Sequence, residues 1–180
     1  MTHAKARRVN CQFRRQSAPI SYLESSADVT PDGLYRYALL RRIARGPRQV
    51  LFVGLNPSTA DEHRDDVTVR RCAGFARSWE FDVVLIGNLY AYRCTHPDDL
   101  RRVVDPMGRQ NRAALETLVA RAELVICSWG ACWMTSEAHR ITDWLLNLPR
   151  ARCLGANRDG SPKHPSRLRS DAAPQILRQS

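Results

Sequence analysis

The chain contains no apolar run approaching the roughly 18 residues that cross a bilayer, so a membrane protein is not expected. The basic start Met1 to Arg8 has no apolar stretch behind it, so no secretory signal is expected either. Its six cysteines (11, 72, 94, 127, 132 and 153) include no Cys-x-x-Cys pair. That spacing argues against zinc and against an iron–sulfur cluster. Cys72 and Cys127 lie in apolar segments and read as small core residues. There is no internal repeat and no low-complexity tract, and no motif calls for a cofactor. These absences together point to a reducing cytoplasm.

What is present is enough for one α/β domain and hardly for two: 180 residues with 43% hydrophobic content. We expect a basic, frayed lead-in over 1–30, a single domain over 31–170 and a tail over 171–180. The net charge of +10 comes from 28 Lys and Arg residues against 18 acids, and it is concentrated at the flanks. Lys5, Arg7, Arg8, Arg14 and Arg15 precede any acid, and Arg150, Arg152, Arg158, Lys163, Arg167, Arg169 and Arg178 face only Asp159 and Asp171. Such flanks suit a polyanion such as nucleic acid. Only Lys5 and Lys163 are lysines, so the arginine excess also fits a GC-rich coding habit.

Pro31-Asp32-Gly33 is a turn signal, and Leu34 to Leu39 alternates in a way that favours a strand, while Leu40 to Ile43 would also suit a helix. Three short apolar runs follow, Gln49–Gly54, Phe81–Gly87 and Leu124–Ser128, with a fourth over Ala151–Gly155; each reads as a buried strand. Between them, Val69, Cys72, Ala73, Ala76 and Trp79 share one helical face, Asn111 to Arg121 is amphipathic, and Ser136 is placed to cap a helix facing inward through Ile141, Trp144, Leu145 and Leu148. His96-Pro97-Asp98-Asp99-Leu100 reads as a further helix start. The alternation predicts a three-layer α/β/α fold on a mainly parallel sheet of four to five strands.

Chemistry-bearing residues follow those strands directly, where open α/β sheets hold ligands. Gly54-Leu55-Asn56-Pro57-Ser58 closes the first run: glycine lets the backbone leave tightly, and Pro57 pushes Asn56 toward an extended conformation. The amide of Asn56 offers both a donor and an acceptor to a water or carbonyl; Asn-Pro-Ser is equally ordinary turn chemistry. Asn88 ends the second run and suits the amide edge of a base, or else ties down neighbouring backbone. Trp129-Gly130 follows the third, where Trp129 either fills core or stacks a ligand. His164 sits in a late loop between Pro162 and Pro165, able to donate to a leaving group's developing charge or to stand idle at the surface.

The motifs Leu55-Asn56-Pro57-Ser58-Thr59-Ala60-Asp61, Asp66-x-Thr68-x-Arg70-Arg71-Cys72, Asn88-Leu89-x-Ala91-Tyr92-Arg93, Trp129-Gly130 and Gly160-x-Pro162-x-His164-Pro165 resemble an uncharacterised bacterial family catalogued as a domain of unknown function. The resemblance runs from about Gly33 to Leu168. More distantly, the motif order is similar to the uracil-DNA glycosylase superfamily. That likeness implies a glycosylase-like fold in which Asn56 positions the attacking water, Asn88 reads a pyrimidine edge and His164 stabilises the departing base. It implies a ligand pocket that includes Gly54, Pro57, Ser58, Trp129 and Tyr92, with Lys163, Arg167 and Arg169 against nucleic acid.

The chain departs from that superfamily in two places. Asp61 to Asp66 has neither the glycines nor the stacking aromatic expected after the first motif, and its acids would repel a phosphate backbone. Arg167-Leu168-Arg169 lacks a second proline and a clear wedge for opening a duplex. The iron–sulfur branch is excluded by the missing cysteines, with Tyr92 standing where a ligand would be. Three readings follow: hydrolysis of an N-glycosidic bond in nucleic acid or a nucleotide, with base extrusion where the substrate is duplex; nucleotide or modified-base binding without cleavage; or Mg²⁺-dependent phosphoryl chemistry using Asp61, Asp65 and Asp66. The first is the leading expectation.

Overall fold

The computed structural model describes residues 20–177. Strands β1 (Glu24–Val29), β2 (Arg36–Arg42), β3 (Gln49–Gly54), β4 (Val83–Asn88), β5 (Leu124–Cys127) and β6 (Ala151–Cys153) form one sheet in the order β1-β2-β4-β3-β5-β6. Helices α1 (Val67–Ser78), α2 (Asn111–Arg121) and α3 (Ser136–Leu146) connect β3 to β4, β4 to β5 and β5 to β6.

The parallel part is built as expected. β3 pairs parallel with both β4 and β5, and β5 with β6. β3 and β4 are apolar because they lie inside the sheet with both faces covered. Alternate residues feed two clusters. Leu51, Val53, Leu85 and Val125 pack with Leu115 and Leu118 of α2 and Ile141 and Leu145 of α3. Val50, Phe52, Val84, Ile86 and Ile126 pack with Val69, Cys72, Ala73 and Phe75 of α1. A strand's period of two therefore sends successive side chains to opposite helix-covered faces.

The sheet as a whole is mixed rather than mainly parallel, and it has six strands rather than four to five. β2 is antiparallel to β4, with Leu39 opposite Ile86, and β1 is antiparallel to β2. The residues Leu40 to Arg42, which also suited a helix, complete β2. β1 arises from the polar stretch expected to fray: its side chains are largely exposed and its backbone is held by pairing with β2. The basic cluster from Lys5 to Arg15 lies outside the described residues. At the other edge, Gln175 exchanges two backbone hydrogen bonds with Cys153, at 2.8 and 2.9 Å, so the expected tail runs against β6.

Helix ends differ in detail. α1 is capped by Asp66, whose side chain accepts from Val69 N at 2.8 Å. α3 is capped by Thr135 rather than Ser136, accepting from Ala138 N at 3.1 Å. The expected helix at His96 is a short 3-10 segment, Pro97–Arg102. No helix among the described residues is long and apolar enough to cross a membrane.

Candidate functional site

In the parallel part of the sheet the chain leaves β3 toward β4 on one side and returns to β5 on the other. The crevice between the carboxyl ends of β3 and β5 is thus the topological switch point, where α/β sheets form their ligand sites. A cavity of about 690 Å³ opens there. Gly54, Asn56, Ser58, Asn88, Trp129 and His164 all line it. Four segments far apart in sequence therefore converge on one space of the size that small-molecule sites usually occupy.

Asn56 is fixed by its own loop and by the loop that follows β4. Its Nδ2 donates to the Cys94 carbonyl at 2.8 Å and the Pro57 carbonyl at 2.9 Å, and lies 3.3 Å from Cys94 Sγ. Both donors are thereby held, and the amide oxygen is left as the group that can accept from a ligand or water. Pro57 is not part of the lining; its carbonyl also accepts from Cys94 N at 3.0 Å.

Asn88 is 5% exposed. Its Oδ1 accepts from Arg36 at 3.2 Å, while no hydrogen bond among the described residues uses its Nδ2. The main chain at this point is held by Asn111 of α2, whose Nδ2 donates to the carbonyls of Asn88 at 3.1 Å and Leu89 at 2.8 Å. Gly54 is required beside it: a Cβ there would stand 2.8 Å from Asn88 Nδ2.

His164 is half-buried. Ser166 supplies its backbone N–H to Nδ1 at 3.4 Å and places its hydroxyl 2.9 Å from the same nitrogen. Nδ1 then accepts, so the neutral ring carries its proton on Nε2. Burial pushes the imidazole pKa below its ordinary 6.5, opposed by Asp66 and assisted by Arg167. The histidine loop is anchored by Gly130, which donates to the Pro162 carbonyl at 2.9 Å from a left-handed conformation (φ 78°), and by Lys163 N, which donates to Gly155 O at 2.8 Å.

Trp129 is buried in the core on one side and meets the cavity on the other, joined there by Phe52. Lys163 and Arg167 are exposed residues of the cavity lining. Arg169 and Tyr92 are not in that lining. Arg169 pairs with Asp171 through two hydrogen bonds of 3.0 and 3.1 Å, and Tyr92 packs edge-on against Tyr35 at 5.6 Å between centroids.

The acids of the 61–66 loop are each engaged separately. Asp61 accepts from the backbone of His63 and Arg64, Asp65 from Arg41 and Tyr22, and Asp66 caps α1. No cluster of three His, Cys, Asp or Glu residues placed to hold a metal ion occurs among the described residues. Of these acids only Asp66 reaches the cavity.

The residue that sequence reasoning missed is Arg36. It is 3% exposed, lines the cavity and donates to Asn88 Oδ1 and, at 2.9 Å, to the Ala60 carbonyl. Its Nε has no partner among the described residues. Burial lowers its pKa from 12.5 to about 10, which leaves it charged near neutrality. The one available signal was an arginine inside an alternating strand, between Tyr35 and Tyr37.

Neither a curated protein nor a solved structure matches the chain. A family match does cover the elements just described, from the start of β2 to the histidine loop. Over residues 36–166 the chain belongs to the family described as "Protein of unknown function (DUF1643)".

Proposed function

We propose that this protein recognises a nucleobase, in nucleic acid or in a nucleotide, and hydrolyses its N-glycosidic bond. The observation that carries this reading is the convergence of Asn56, Asn88 and His164 on one cavity. We also read helix-covered faces on both sides of the sheet as a three-layer α/β/α arrangement similar to the uracil-DNA glycosylase superfamily, with the β1–β2 pair added at one edge.

Each group suits one part of the reaction. Asn56 Oδ1 accepts a hydrogen bond from a water and holds it toward the anomeric carbon. As the C–N bond breaks, its electron pair leaves with the base; the water oxygen bonds to the sugar and gives its proton to solvent. The neutral His164 ring donates from Nε2 to the oxygen on which the base's negative charge gathers, without transferring the proton. Asp66, the acid of the cavity lining, offsets positive charge developing on the sugar. Lys163 and Arg167 sit at the wall where a phosphate of a nucleotide or nucleic acid would be gathered.

A second reading, binding without cleavage, is favoured by one observation. Asp66, the one carboxylate among the cavity-lining residues, is turned through Oδ1 to the backbone of α1, so the water held by Asn56 has no carboxylate dedicated to it.

The test is base release from DNA carrying uracil and other lesions, and from free nucleosides and nucleotides. Release that disappears in Asn56→Ala and His164→Ala supports the enzyme. Tight nucleotide binding with no release from any substrate supports the second reading, and divalent-dependent phosphate release would overturn both.

A further inference from the structure

We infer that the cavity is an anion site completed by its ligand: a terminal phosphate takes the place beside Arg36 that a carboxylate of the fold would otherwise fill. The anion site does not depend on the base-recognising reading. That the phosphate belongs to a nucleotide, or to the phosphorylated end of a strand, does rest on it.

β2 carries two buried arginines, Arg36 at 3% and Arg41 at 1% exposure. A guanidinium taken out of water is costly unless an anion accompanies it. Arg41 is accompanied inside the fold, by Asp65 at 2.9 Å, and it is not in the cavity lining. Arg36 lines the cavity and forms no ion pair with a carboxylate among the described residues. Its two hydrogen bonds go to neutral acceptors, the Ala60 carbonyl at 2.9 Å and Asn88 Oδ1 at 3.2 Å. A guanidinium has more donors than these bonds use, and Nε is left without a partner.

The acids whose charge reaches Arg36 are committed elsewhere. Asp66 accepts from Val69 N, and Asp61 accepts from the backbone of His63 and Arg64. Arg93 adds positive charge from nearby, and its own Nε is also without a partner among the described residues. The fold therefore gathers cations around Arg36 and supplies no anion to meet them.

The open side of Arg36 is the cavity, so the counter-charge arrives with what enters it. Arg36, Lys163 and Arg167 outnumber Asp66, the one carboxylate of that lining. Lys163 and Arg167 are exposed and draw an anion toward the opening, while the buried Arg36 holds it where water no longer competes. A phosphodiester continues as chain on both sides and would have to enter and leave beside residues that are almost sealed. A phosphate monoester ends there, and its oxygens match the planar fork of a guanidinium.

The experiment measures binding to the full chain by calorimetry, in buffer free of phosphate and sulfate. Uridine 5′-monophosphate is expected to bind about tenfold or more tighter than uridine, and also tighter than its methyl ester, in which the phosphate is a diester. In Arg36→Met the monophosphate loses more than uridine does, so their ratio falls toward one, and Arg36→Lys keeps part of the preference. A purely structural Arg36 would weaken both ligands alike and leave the ratio unchanged, which would overturn the proposal. If Arg36→Met does not fold, the wild-type protein decides: inorganic phosphate must compete with uridine 5′-monophosphate and raise the melting temperature above that in chloride of equal ionic strength. Failure of either effect would overturn the anion site. A dinucleotide bound only when it carries a 5′-phosphate would support a strand end as the source. Uridine and its monophosphate bound equally would overturn the anion site and leave the base-recognising reading in place. Inorganic phosphate bound as tightly as the monophosphate, with no binding of uridine and no base released, would support the anion site and overturn that reading.

Discussion

Asn56 and Cys94 are tied in both directions: Asn56 Nδ2 donates to the Cys94 carbonyl at 2.8 Å, and the Cys94 N–H donates to the carbonyl of Pro57 at 3.0 Å. The loop after β3 is thereby laced to the loop after β4, and the amide proposed to hold water is also a structural clasp. Asn56→Ala removes two N–H···O bonds and is expected to cost about 1–2 kcal/mol. Asn56→Asp turns a carboxylate toward the same two carbonyls and is expected to cost more than the alanine. Urea denaturation of both variants checks the order; an aspartate as stable as wild type would contradict it.

A buried ion pair holds the acidic loop against the sheet. Arg41, 1% exposed, donates to Asp65 at 2.9 Å and to the Asp61 carbonyl, and Tyr22 donates its hydroxyl to Asp65. Asp65→Asn leaves the guanidinium buried without its counter-charge, a loss of about 3 kcal/mol. The double variant Arg41→Met with Asp65→Asn is expected to be more stable than Asp65→Asn alone. Melting temperatures of the three proteins decide this, and strictly additive losses would refute it.

His164 predicts a pH dependence. Burial holds its folded pKa below the ordinary 6.5, so between the two values the unfolded chain binds a proton that the folded chain does not. The stability from this group is present above about pH 6.5 and is lost as pH falls through the folded value. Protonation also replaces the neutral ring proposed to face the leaving group. His164→Gln should flatten the acid limb of the stability profile, and an unchanged limb would show that another group is responsible.

Asn111 supports Asn88 from behind. It is fully buried, and Asn111→Leu leaves the carbonyls of Asn88 and Leu89 without their donors, a loss of about 2 kcal/mol or more. Hydrogen exchange should quicken at β4 in this variant before it does at β6.

Binding to nucleic acid should distinguish the three flank cations. Lys163 and Arg167 line the cavity, whereas Arg169 is satisfied by Asp171. Replacing Lys163 and Arg167 with Gln should reduce the salt dependence of binding by about 0.9 log unit per charge. Arg169→Gln should change it little. Equal effects at all three positions would make the basicity a general surface property.

The helices and parallel strands were legible because each has its own period. Asn111 to Arg121 and Leu124 to Cys127 announce themselves through apolar spacing alone. β1 was not legible: its side chains face water, and only backbone pairing with β2 makes Glu24–Val29 a strand. Nor was the direction of β2 legible, since periodicity identifies an element without its neighbours. Asn56, Asn88 and His164 stood out because each follows an apolar run or sits in a Pro-marked loop. Arg36 did not, because it lies inside a strand, where an arginine ordinarily means a solvated face.

The reversed direction of β2 has a consequence for how this pocket is furnished. A strand running with β4 would deliver its last residues to this rim and carry its first ones to the far side of the molecule. Because β2 runs the other way, its opening residue, Arg36, arrives beside the end of β4 and bonds through its backbone N–H to the Ala91 carbonyl at 2.9 Å. The added hairpin therefore does more than widen the sheet: it brings a buried positive charge to a rim whose loop cations, Lys163 and Arg167, are exposed.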